Sequence, residues 1–188
     1  MIIDKVKQII SNPTGFFESL SENGIKDCYV YFLLVSLVYA VLDTILSVAF
    51  RSFGFAVLPA DEAALGVGIA FASGIGSWIA GLVFIFVGIA IWHVWLMIFG
   101  ARVPFEKTMQ TSIYAATPFY VFGWIPILGV LAGIWTMVLN IIALPKTHGL
   151  STTKSVIAVL LPSVLIVMFA VTLIALIAGA AFSGLPAF

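Results

Sequence analysis

Between Ala63 and Ala101 the chain contains neither a charged side chain nor a proline. Comparable apolar runs begin at Tyr29, Ile127 and Ser155, and only Asp43 places a charge inside any of them. A bilayer selects stretches of this kind. Its hydrocarbon core is crossed by about 20 apolar residues of helix, and helical backbone satisfies its own polar groups where no water is available. Only 9% of the residues are charged and 63% are hydrophobic, whereas soluble domains are about a quarter charged. So few charges cannot cover a globular surface in water. The expected fold class is all-α, a polytopic transmembrane helical bundle of about five spans.

The spans are expected near residues 29–50, 72–99, 105–122, 127–144 and 155–182. The run from Ala63 to Ala101 is too long for one crossing and just long enough for two, yet Gly74–Gly76 offers only a weak break. One span near 72–99 is expected there, preceded by a membrane-embedded or luminal approach. Gly54, Pro59, Asp61 and Glu62 suit a loop over 51–65. With five spans, Lys5, Lys7, Lys26, Arg102, Lys107, Lys146 and Lys154 share one side, and only Arg51 lies on the other. The positive-inside rule then puts the N-terminus in the cytoplasm and the C-terminus outside. A sixth span inside 63–101 would destroy that bias.

Residues 1–28 carry seven charges and do not read as a cleavable signal peptide. Ile2, Ile3, Val6, Ile9 and Ile10 recur at helical spacing, and Asn12 before Pro13 reads as a helix cap followed by proline at the first helical position. Two cytoplasmic helices lying on the membrane surface are expected, with Phe16 and Phe17 inserted at the interface.

Eight basic and eight acidic residues balance, which argues against nucleic acid as a partner. Cys28 is the only cysteine, so neither an internal disulfide nor a cysteine metal cage is expected. No nucleophile elbow, phosphate-binding loop or paired histidine motif occurs, so no catalytic residue, metal or cofactor is expected. The polar residues inside the spans are the remaining candidates. Asp43, His93, Gln110 and Asn140 form a candidate intramembrane polar site, with Arg102 and Glu106 on its cytoplasmic rim. Asp43 reads either as a cation or proton site or as a structural acid bonded to a neighbouring helix. Ordinary interhelical hydrogen bonding is the alternative for the other three. Ser73, Ser77 and Gly81, and Gly129 with Gly133, repeat small residues every four positions, which lets helices approach closely.

Several segments together resemble the Yip domain family of Ypt/Rab-interacting membrane proteins, in its short prokaryotic or archaeal form. They are Asn12–Phe17 (Asn-Pro-Thr-Gly-Phe-Phe), Tyr114–Pro118 (Tyr-Ala-Ala-Thr-Pro), Trp124–Pro126, and His148–Ser151 followed by Lys154 and Pro162. The resemblance implies a cytoplasmic N-terminus and five spans. It also implies a non-enzymatic, membrane-organising or trafficking-like scaffold in the cell membrane. Its partners would be membrane lipid, other copies or relatives of itself, and a cytoplasmic protein. The runner-up expectation is a small transporter or channel using Asp43 and an inward polar pocket.

Overall fold

The computed structural model describes residues 2–52 and 60–183, with the side chains of 2–50 and 66–177. Among them every regular element is an α-helix: α1 Ile2–Ser11, α2 Pro13–Glu18, α3 Lys26–Ser52, α4 Ala60–Ile98, α5 Phe105–Ala115, α6 Thr117–Phe122, α7 Pro126–His148 and α8 Thr152–Ser183. Four stretches, Lys26–Phe50, Gly66–Ile98, Pro126–His148 and Thr152–Ile177, are long and apolar enough to cross a membrane. Large apolar side chains stand exposed along them. In α8 every residue from Val164 to Ile177 is exposed, a surface that only lipid or another apolar partner can cover. The protein is an all-helical integral membrane protein.

Two stretches differ from expectation. Helix α4 is one continuous element of 39 residues, with no separate approach before residue 72 and no break at Gly74–Gly76. Glycine weakens a helix by only about 1 kcal/mol, and without proline or a charge nothing there competes with helix in an apolar medium. At 1.5 Å per residue α4 is about 58 Å long, well beyond a hydrocarbon core of about 30 Å. Of the loop expected over 51–65, residues 53–59 lie outside the described residues, and 60–65 already belong to α4. The stretch 105–122, expected as the third span, is two consecutive helices of 11 and 6 residues, and neither is among the four long apolar stretches. It breaks at Ala116, two residues before Pro118, which sits in the first turn of α6. Proline cannot donate to the preceding turn and clashes with it. The expected break at Gly123–Pro126 is present, between α6 and α7.

Helix α5 is the most enclosed element, with Thr108–Thr111 and Ile113–Ala115 buried. It packs on α3, α4 and α7. Helices α3 and α4 come close at Gly74, where an added Cβ would fall on Thr44 Oγ1. Ser73, Ser77 and Gly81 line the same cleft as Gly74 and Thr44, and a Cβ on Gly81 would meet nothing. A Cβ on Gly133 would meet nothing, whereas one on Gly129 would lie 2.7 Å from the Gly123 carbonyl oxygen in the α6–α7 turn. Gly149 ends α7 at φ +67°, the left-handed conformation that glycine adopts without strain.

The N-terminal helices pack on the bundle. The Asn12 side chain accepts from the Gly15 amide at 3.1 Å and caps α2. Helix α1 lies against α2 and α6, and α2 against α7. The insertion of Phe16 and Phe17 into lipid is corrected here. They are 6% and 1% exposed, and Phe16 packs edge-on to Phe17 and to Tyr114. Their apolar face finds protein instead of acyl chains.

Candidate functional site

The arm of residues 2–25 ends in polar groups that reach into α5. Lys5 forms an ion pair with Glu22, and its ammonium donates to the Tyr114 hydroxyl at 2.9 Å. The Tyr114 hydroxyl lies 2.8 Å from both Glu22 carboxylate oxygens. Gln110 donates to the carbonyl oxygens of Glu22 and Gly24, at 3.0 and 2.7 Å, and Lys107 donates to that of Leu20 at 2.6 Å. Lys146, at the end of α7, pairs with Glu18. Across the same end of the bundle, Gly100 lies close to the Lys154 ammonium. The arm, the turn before α5 and the turn between α7 and α8 therefore meet at one end.

Just inside this end the two histidines converge on one hydroxyl. Thr108 Oγ1 is 2.7 Å from His93 Nδ1 and 2.9 Å from His148 Nε2. His148 Nδ1 is 2.7 Å from Thr147 Oγ1, which itself donates to the Ala143 carbonyl oxygen at 2.9 Å. Thr108, Thr147 and His148 are buried.

The expected intramembrane polar residues do not share one pocket. His93 is taken up by Thr108, and Gln110 by the arm backbone. Asn140 donates to its own helix at the Thr136 carbonyl oxygen, 2.9 Å away. It lines a separate cavity of about 260 Å³ with Trp92 and Pro162. Arg102 and Glu106 are exposed at the polar end. Asp43 lies apart from these, in a cleft of about 510 Å³ between α3 and α4. Among the described residues its carboxylate has no hydrogen bond or ion pair, so it does not bond the neighbouring helix as a structural acid would. The sequence reading missed two networks, Glu22 with Tyr114 and Thr108 with His148. Glu22 looks like a solvated charge between two helices. The other three are brought together only by the packing of α5 on α4 and α7.

Among the described residues no three His, Cys, Asp or Glu side chains group to hold a metal ion. No curated protein and no solved structure matches the chain. The sequence pattern described as the Yip1 domain matches residues 7–175, from within α1 to the outer part of α8, and so takes in the polar end, the histidine pair and the cleft alike. On that match the chain belongs to the Yip1 domain family.

Proposed function

We propose that the protein is a non-enzymatic membrane scaffold whose working surface is the polar end of the bundle, facing the cytoplasm. One observation carries the reading: three segments far apart in sequence are tied together at that end by Lys146–Glu18, Lys107 to Leu20 and Gln110 to Gly24. Such ties make a preformed platform from otherwise mobile turns, and a preformed surface loses less freedom when it binds. Its rim exposes Lys7, Glu18, Lys26, Asp27, Arg102, Glu106, Lys146 and Lys154. Mixed charge of this kind suits a protein partner, or a second copy, and gives specificity more than raw affinity. Seven of the eight Lys and Arg residues lie on the segments that form this end, which supports the cytoplasmic orientation. The same reading takes the C-terminus to be outside and the membrane to be the cell membrane. The transporter alternative has less support, because His93, Gln110 and Asn140 are engaged in separate hydrogen bonds.

The test is photo-crosslinking in the native membrane, with the reactive residue at position 26, 102 or 106 and a control at exposed apolar position 91. Discrete protein adducts from the rim, absent from position 91 and, for positions 26 and 106, reduced by Arg102→Glu, support the scaffold. Rim positions that crosslink to lipid alone overturn it.

A further inference from the structure

We propose that the cleft between α3 and α4 binds an organic ammonium, the cationic head of a membrane-soluble amphiphile, with Asp43 as its counter-ion. The inference stands on the cleft alone and does not depend on the role of the polar end.

A carboxylate within a membrane-spanning segment is costly unless it is paired or wetted. Asp43 has no partner among the described residues, and its side chain faces a space of about 510 Å³. Pockets of roughly 300–1,000 Å³ hold small molecules. Ser36, Thr44, Ser47, Ser73 and Ser77 contribute hydroxyls, and among the described residues no Lys, Arg or His contributes to the wall. Two of these hydroxyls spend their protons on their own helices: Ser36 donates to the Leu33 carbonyl at 3.3 Å and Ser73 to that of Ala70 at 3.0 Å. Their oxygens are left as acceptors. The Ser36 oxygen already takes the Trp78 indole N–H at 3.1 Å, which fixes that ring at the cleft. Acceptors of this kind beside a carboxylate favour a donor cation over an anion.

The walls separate an organic cation from a bare metal ion. Phe32, Tyr39, Trp78, Phe84 and Tyr120 line the same space, and Tyr39 is held by stacking on Phe119 and edge contact with Tyr120. Aromatic faces attract ammonium groups and cover alkyl carbon at once, whereas hard metal ions favour several carboxylates and Asp43 is the single one in the described lining. The ligand reaches the cleft from the lipid phase, because the outer surfaces of α3 and α4 on either side are apolar and exposed.

Thermal unfolding of the detergent-purified full chain tests this with three probes of one chain length: decylammonium, decanol and decanoate. A ligand that binds only the folded state raises the transition temperature. The expected result is a rise with decylammonium alone, lost in Asp43→Asn. Ser77→Leu fills the cleft without touching the charge and should abolish the rise as well, which keeps the test valid if Asp43→Asn does not fold. Equal shifts with decylammonium and decanol would overturn the proposal, as would an ammonium shift that persists in either variant. Added phosphatidylethanolamine against phosphatidylcholine separates the sources. Protection by phosphatidylethanolamine, also lost in Ser77→Leu, identifies the occupant as a lipid headgroup, and protection by decylammonium alone identifies a free amphiphile.

Discussion

A hydroxyl has one proton, and Thr108 Oγ1 stands between two imidazole nitrogens at 2.7 and 2.9 Å. The donor order can be worked out from the far end. Thr147 gives its proton to the Ala143 carbonyl, so His148 Nδ1–H must donate to Thr147. With both rings neutral, His148 Nε2 then accepts from Thr108, and His93 Nδ1–H donates to Thr108. Both rings are thereby held as the Nδ1–H tautomer. Thr108→Val keeps the shape and removes the hydroxyl, which strands one nitrogen on each ring. An unsatisfied buried polar group costs about 1–3 kcal/mol. Thr108→Val should therefore lower the unfolding free energy by an amount of that order, and Thr108→Ser should restore most of it. Nitrogen NMR of the imidazoles checks the mechanism, since wild type should show two Nδ1–H rings and Thr108→Val should not hold them. Equal stability of Thr108→Val and wild type would remove the chain's structural role. In the sequence His93 stands out as a polar group inside an apolar run. Its partners, Thr108 and His148, lie in other helices, and no periodicity connects them.

At the scale of helices, small residues tell more than their spacing does. Ser73, Ser77 and Gly81 recur every four positions on α4 and line the cleft between α3 and α4. The pattern leaves out Gly74, where an added Cβ would fall on Thr44. Where two helices touch depends on their crossing, and that is fixed by all of their neighbours together. Likewise the composition of 105–122 suggests a span, but the buried α5 face and Pro118 divide it into two helices. Two substitutions separate contact from mere pattern. Gly74→Leu drives a side chain into α3 and should destabilise by about 1–3 kcal/mol, the usual cost of overpacking. Gly133→Ala meets nothing and should be neutral, or stabilising by up to about 1 kcal/mol through helix propensity. Unfolding of both variants in the same detergent checks the order, and a Gly74→Leu protein as stable as Gly133→Ala would contradict the contact.

For the molecule as a whole, the all-helical membrane class was legible in the sequence because lipid leaves so few alternatives for apolar runs of that length. The seat of the arm was not. An amphipathic helix turns the same face to an acyl chain as to an apolar protein groove, so the stripe Ile2, Val6 and Ile9 cannot say which of the two covers it. In the fold Ile9 is fully buried and Phe17 is 1% exposed. The arm is also tied by charge through Lys146 and Glu18, whose side chains are 38% and 52% exposed, and exposed pairs contribute only about 0.2–1 kcal/mol. Truncating a buried phenylalanine costs about 3–5 kcal/mol. Burial should therefore dominate the docking of the arm. Phe17→Ala is expected to release it, and trypsin should then cut at Lys5 and Lys7 in the folded, membrane-inserted protein. Lys146→Ala should leave those sites as protected as in wild type. If Lys146→Ala exposes the arm and Phe17→Ala does not, the platform is held by its charges, and the rim is then a surface that salt can open.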